Sequence, residues 1–333
     1  MKPARTVPDG SSVPGQDPSG AAGPVLSLRD VSVEFLTRRG PVTALSGVSL
    51  DLMPAAMHVV IGESGSGKSV LAHTVLDLLP RNVTVRGERR LAGTDLSTAD
   101  QRRWRQLRSR HLAFIPQSPV SALNPVRRLG PLMVELARSR GLSRQDAWPA
   151  VEAALAGFDL DPDRIRALYA HHLSGGMAQR VVSSLALIGS PEVVIADEPT
   201  SGLDAALVEG TAAHLLALAE RGAAVLVVTH DLELAQRLGG TTSVLYASYL
   251  VEQRPTAALF AEPAHPYVMA LLDARPQRGG RSIPGMPPEL TALPDHCPFA
   301  ARCRYVADTC RTAVPPPVEL PDGVVRCVRV GRF

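Results

Sequence analysis

The chain is nearly without lysine: of its 35 basic residues only Lys2 and Lys68 are lysine, and the rest are arginine. It has no run of the roughly 18 apolar residues that a membrane-crossing helix needs, so it is not expected to span a bilayer by itself. The first residues, Met1 to Gly23, lack an apolar signal core and are rich in Pro, Gly, Ser and Asp. That composition predicts a disordered tail over residues 1–24 and, with no secretory signal, a cytoplasmic protein. A formal net charge of +3 over 333 residues does not point to nucleic acid. The arginines Arg102, Arg103, Arg105, Arg108 and Arg110 read as a solvated helix face rather than a phosphate-binding stripe. No Asn-Lys-x-Asp element, which would specify guanine, can occur where Lys68 is the only lysine past the tail. No internal repeat is visible.

What is present is an alternation of strands and helices. Val25–Phe35 and Val42–Leu52 carry alternating or branched apolar residues and predict β structure. Met57–Ile61 predicts a short buried strand that runs through a Gly-rich turn into a helix from about Lys68 to Leu79. Leu112–Ile115, Val193–Ala196 and Ala224–Thr229 are further strand-length apolar runs, of the kind that suits parallel strands buried on both faces. Between Pro131 and Ala170 the pattern turns helical. Past about His265 proline becomes frequent and all four cysteines occur, which predicts a separate small C-terminal module.

Three stretches carry chemistry. Gly62-Glu63-Ser64-Gly65-Ser66-Gly67-Lys68-Ser69 fits the phosphate-loop pattern, in the strand-to-helix context that the pattern requires. Its glycines let successive N–H groups turn inward toward phosphate oxygens, and the helix N-terminus adds its positive end. Lys68 supplies a mobile ammonium, and Ser69 offers a hydroxyl to Mg²⁺. Val193-Val194-Ile195-Ala196-Asp197-Glu198 is an apolar strand ending in two carboxylates, with Asp197 near the metal and Glu198 placed to orient or deprotonate the attacking water. Leu173-Ser174-Gly175-Gly176-Met177-Ala178-Gln179-Arg180 sets a capping serine and two glycines at the start of a helix, again a site for phosphate.

That last stretch resembles the signature motif of the ABC ATPases, and the other motifs of that family follow in order. The resemblance covers roughly Val25 to Ala261. It implies an α/β fold: a P-loop ABC ATPase core with an N-terminal antiparallel β subdomain over residues 25–264, a helical subdomain at about 118–172, and a small Cys-containing extension over 265–333. Gln117 is similar to the loop glutamine that reaches Mg²⁺ or water, and Asp204 to the D-loop aspartate at the dimer interface. His230 resembles the switch histidine on the γ-phosphate, and Phe35 the aromatic that stacks on adenine. The resemblance further implies two such subunits closing head to tail. ATP is then held between one subunit's Lys68 loop and the Ser174, Gly175, Gly176 and Gln179 segment of the other.

The segment Ser118-Pro119-Val120-Ser121-Ala122-Leu123-Asn124-Pro125 and the tail from His265-Pro266-Tyr267 resemble the peptide/nickel importer subfamily. Membership implies a second ATPase subunit (usually a different chain), two permease subunits and an extracytoplasmic binding protein, at the cytoplasmic face of the membrane, with no nucleic acid. The expected substrates are di- and oligopeptides, with nickel or a metal chelate as the alternative. A soluble, non-transport ABC ATPase is the rival from another class; the lone phosphate loop and short insertion speak against it. Cys297, Cys303, Cys310 and Cys327, with spacers of 5, 6 and 16 residues, suggest metal ligation in a reducing compartment. The spacing is neither that of a zinc ribbon nor the bacterial ferredoxin run. The resemblance implies a [4Fe-4S] cluster, with zinc, or unligated or redox-paired cysteines, the alternatives. Two departures from the family pattern, Ala55-Ala56-Met57 before the phosphate-loop strand and Ala205-Ala206-Leu207 after Asp204, loosen any inference about substrate.

Overall fold

The computed structural model describes residues 23–38, 40–203, 205–275 and 279–332. The tail expected over 1–24 therefore falls almost wholly outside the described residues, as does Asp204.

Strands β1 (Leu26–Thr37) and β2 (Gly40–Leu52) form a long antiparallel pair, with Leu26 opposite Leu52 and Thr37 opposite Gly40. Register shifts between Leu28 and Val33 keep Leu26, Leu28, Val31 and Val33 on the buried side despite their uneven spacing. After β3 (Met57–Ile61) and α1 (Lys68–Leu76) come β4 (Val83–Leu91) and β5 (Thr94–Asp95), which complete a four-stranded antiparallel sheet in the order β2-β1-β4-β5.

The other sheet is the scaffold of the site. Its parallel core consists of β6 (Leu112–Ile115), β7 (Val193–Asp197), β8 (Ala224–Val228), β3 and β9 (Thr241–Tyr246). Every residue of β3, β7 and β8 is buried, which is why these segments, His58 and the terminal Asp197 apart, read as apolar runs. Successive residues point to opposite faces. Val60, Ile195 and Leu226 pack with the β1–β2 sheet and α1, while Val59, Val194 and Val225 pack toward the helices.

Helix α2 (Gln101–Arg110) buries Trp104 and Leu107 and leaves Arg102, Arg103, Arg105 and Arg110 exposed, a solvated face. Between β6 and β7 run α3 (Pro119–Ala122), α4 (Leu129–Ser139), α5 (Ala147–Ala156), α6 (Pro162–Ala167) and α7 (Gly175–Leu187). They gather Met133, Val151, Phe158 and Ile165 into the same apolar cluster as the parallel sheet. The chain continues through α8 (Ala205–Glu220), α9 (Leu232–Leu238), β10 (Tyr249–Pro255), α10 (Thr256–Ala261) and α11 (Pro266–Asp273).

Among the described residues, the segment after His265 forms no apolar cluster of its own. Strands β11 (Val318–Leu320) and β12 (Gly323–Val325) extend the main sheet through β10, with Glu252 opposite Val325. Tyr267, Leu272 and Phe299 are buried in the helical-side cluster. Three-residue strands cannot enclose apolar surface alone, so this segment folds onto the larger sheet.

Candidate nucleotide site

The chemistry gathers at the C-terminal ends of the parallel strands. β3 ends at Ile61, and the chain turns through residues 62–67 into α1, which begins at Lys68. Two glycines make this turn possible. Gly62 (φ +154°) and Gly67 (φ +105°) lie so close to other backbone that a Cβ would fall 2.2 Å from the Leu245 and Ala44 carbonyl oxygens respectively. Lys68 is buried, and its Nζ donates to the carbonyls of Gly62 (2.9 Å) and Glu63 (3.1 Å). Burial lowers its pKa, and the carboxylates of Glu198, Asp197 and Glu63 work against that shift. Ser64, Gly65 and Ser69 are exposed at the mouth of the loop, while Ser66 is buried.

β7 delivers the acidic pair. Asp197 is buried at the strand end and accepts from the Ser69 hydroxyl at 3.1 Å, so the two oxygens that fit a shared divalent cation already stand together. Burial raises the Asp197 pKa, with the Ser69 hydrogen bond opposing it. Glu198 adopts φ +48°, an unusual conformation for a side-chain-bearing residue, and its N–H donates to Val228 O at 2.7 Å. This turn swings its carboxylate toward the tip of β8. There Oε2 accepts from His230 Nδ1 (2.8 Å), Thr229 Oγ1 (3.2 Å) and the His230 backbone N–H (3.3 Å). The carboxylate is an acceptor only, so Nδ1 carries the proton in this contact. Glu198 is 10 % exposed at the side chain and His230 62 %, so the histidine stands outward over a nearly covered base.

Gln117 is exposed two residues beyond β6, whose Ile115 pairs with Ala196 of β7, and it therefore lies beside the acidic strand end. Phe35 is half-buried on β1 opposite Val42 and Val83, packed against the apolar cluster of that sheet. Ser174 caps α7, accepting from the Met177 N–H at 3.3 Å, and both Ser174 and Gly175 are exposed. Gly176 is packed so tightly that a Cβ would meet Leu207 Cδ1 at 2.8 Å. Gln179 departs from the expectation that groups it with this exposed tip. Five residues on from Ser174, it has rotated onto the inward face of α7 and is only 5 % exposed.

Residues that the motifs do not flag also reach the loop. The Glu63 carboxylate is paired with Arg302, and the Glu63 N–H donates to the Tyr267 hydroxyl. Nothing in the local sequence around Arg302 indicates a target 239 positions away.

The four cysteines are free and line one small enclosed pocket with His265, Phe299 and Tyr305. Backbone N–H groups of Phe299, Tyr305 and Arg329, each two residues further on, donate to the sulfurs of Cys297, Cys303 and Cys327. Burial raises the pKa of all three thiols, that of Cys297 to about 11, and neighbouring cysteines add to the effect. Among the described residues, no group of three or more His, Cys, Asp or Glu closes on a single metal ion.

A phosphate loop, an acidic strand end and a histidine at the next strand tip, aligned on one end of a parallel sheet, define a P-loop nucleoside triphosphatase. Comparison with known proteins narrows this. Residues 45–201 match the ABC transporter family, and residues 251–310 match the oligopeptide/dipeptide transporter C-terminal region. The chain is 37% identical over 312 residues to a probable peptide ABC transporter ATP-binding protein of Sinorhizobium fredii, covering 90% of this chain and 92% of that one. It is 37% identical over 316 residues to a probable D,D-dipeptide transport ATP-binding protein of Escherichia coli, covering 91% and 95%. A dimeric bacterial ABC transporter cassette, MJ0796, shares the fold with a TM-score of 0.63 at 24% identity, covering 69% of this chain and 98% of that one. The chain belongs to the ABC transporter family and is one of its ATPases. No helix among the described residues is long and apolar enough to cross a membrane.

Proposed function

We propose that this chain is an ATP-hydrolysing subunit of an importer for di- and oligopeptides, working at the inner face of the membrane. It would act with a second cassette of a different sequence, two permeases and an external binding protein. The observation that carries the ATPase half of this reading is the cluster Lys68, Ser69, Asp197, Glu198 and His230 at one sheet end. The peptide half is supported by the match of residues 251–310 and by the names of the relatives at 37% identity.

The geometry suggests how the residues divide the work. The loop N–H groups and Lys68 receive the phosphates, and Lys68 leaves the two carbonyls that hold it at present. Ser69 and Asp197 would hold Mg²⁺, which neutralises charge on the phosphates, with Gln117 beside them. Glu198 takes the proton of the attacking water, and His230 orients the Glu198 carboxylate while its exposed ring faces the γ-phosphate. Phe35 supports the adenine. The exposed cap at Ser174 and the glycines after it present N–H groups to nucleotide on the partner cassette; Asp204, outside the described residues, is assigned to that interface by its motif alone. Gln179, grouped with this tip by its motif, is buried on α7.

The resemblance assigns an iron–sulfur cluster to the cysteine pocket, with zinc the alternative, and the gathering of the four thiols supports a shared ligand. Four thiols meet in one enclosed space with N–H donors aimed at three sulfurs, yet they do not close on a single ion. Such a group, held by Cys297, Cys303, Cys310 and Cys327, would cross-link a segment that, among the described residues, forms no apolar cluster of its own. The transport reading is tested by ATP-dependent accumulation of a radiolabelled tripeptide in vesicles holding the assembled complex. Peptide uptake that stops with Lys68→Ala is expected; accumulation of nickel but no peptide would overturn the substrate.

A further inference from the structure

Glu63 is the only acidic residue in the phosphate loop, and it is held at three groups: its carboxylate, its N–H and its carbonyl. Its carboxylate receives a two-pronged contact from Arg302, Nη1 to Oε2 at 3.0 Å and Nη2 to Oε1 at 3.1 Å. Its N–H donates to the Tyr267 hydroxyl at 3.0 Å. Its carbonyl accepts from Lys68 Nζ at 3.1 Å. The first two contacts come from the segment beyond His265, so the loop that cradles phosphate is clasped from the far end of the chain.

Arg302 is itself well fixed. Its Nε donates to Pro284 O at 2.9 Å, and Nη1 also donates to the Tyr246 hydroxyl at 3.2 Å. The guanidinium lies 5.7 Å from the Tyr246 ring centre and 6.0 Å from that of Phe299. Its side chain is 5 % exposed and that of Glu63 25 %, so water and salt screen this pair weakly. Arg302 closes the short turn Ala300–Arg302 and directly precedes Cys303, so whatever holds that cysteine also holds the guanidinium.

A carboxylate in a phosphate loop opposes the loop's purpose. Uncovered, it repels the triphosphate and competes for the same N–H groups and ammonium. A fork-shaped guanidinium neutralises it and fixes its direction at once, which a lysine would do less completely.

We infer that Arg302 is a positioning residue for the ATPase: it masks the charge of Glu63, and through it the C-terminal segment sets the affinity of the phosphate loop for nucleotide. This rests on residues 62–69 being the nucleotide site.

The test is calorimetric titration of the full chain with MgADP and MgATP. Arg302→Met keeps the stem and stacking volume but exposes the carboxylate, and raises Kd ~10-fold. Arg302→Lys retains a cation and raises Kd by a smaller factor, about threefold. Adding Glu63→Gln to Arg302→Met removes the uncovered charge and returns Kd to within about threefold of the parent. If Arg302 merely glued the tail to the core, the double variant would bind no better than Arg302→Met, and that result overturns the inference. A parental Kd for Arg302→Met overturns it as well. Lys68→Ala separates the two levels of the argument. Loss of binding there with none in Arg302→Met sinks only the masking role, whereas parental binding by Lys68→Ala sinks the nucleotide site itself.

Discussion

Glu198 and His58 show how a buried titratable group can serve opposite ends. Glu198 keeps a carboxylate nearly covered yet partnered by Thr229, the His230 ring and the His230 N–H, which fixes its direction. Glu198→Gln preserves that shape but cannot accept a proton. Steady-state ATPase assays should therefore show turnover reduced about 10²- to 10⁴-fold, while unimpaired turnover would remove Glu198 from its role as base. His58 lies 4 % exposed on β3 with its Nε2 2.8 Å from Ser243 Oγ, away from the nucleotide loop. Burial depresses its pKa from 6.5 to about 4, with the backbone of Asp51 opposing the shift. The unfolded chain then takes up a proton below pH 6.5 that the folded chain refuses until about pH 4. Folding stability falls as pH drops through that window, by about 3 kcal/mol at most. Melting temperatures measured from pH 7 to 4.5 should decline more steeply for the parent than for His58→Gln. Parallel curves would mean that the histidine titrates normally.

At the scale of elements, a residue pattern was legible where the physics is local. β3, β7 and β8 are wholly buried, so each reads as an apolar run apart from His58 and the terminal Asp197, and the phosphate loop includes Gly62 and Gly67, whose positive φ and close backbone contacts allow nothing larger. Gly67→Ala should destabilise the chain by about 1–3 kcal/mol, because its Cβ would stand 2.2 Å from Ala44 O in a conformation that L-residues avoid. Urea denaturation measures this, and an unchanged midpoint would show that the loop relaxes freely. Other elements gave no such signal. β4 is half-exposed and carries Arg86, Glu88, Arg89 and Arg90, so its strand character comes from pairing with β1 rather than from apolar content. β11 and β12 are three residues each and exist by addition to β10. Gln179 is buried where Ser174 and Gly175 are exposed, because a motif gives spacing along the chain, whereas exposure depends on which side of α7 meets the core.

At the scale of the molecule, composition separated the C-terminal segment from the rest, but only the tertiary structure joins it to the sheet, the Tyr267–Phe299 cluster and Glu63. The thiol pocket is part of that junction. Protein purified without oxygen should be brown and contain about four iron atoms per chain, by the stoichiometry of a four-thiolate cluster. Colourless protein holding one zinc would replace the cluster with a single ion. The same scale governs the catalysis proposed above, in which a second cassette brings its nucleotide to the exposed cap of α7. Light scattering tests that shared pocket most directly, on chains carrying Glu198→Gln, with the partner cassette where one is required. MgATP should drive these chains into a stable dimer, and adding Ser174→Arg should return them to the monomer mass. A dimer that forms equally well with Ser174→Arg, or no dimer in either case, would contradict a nucleotide held between two copies of the site.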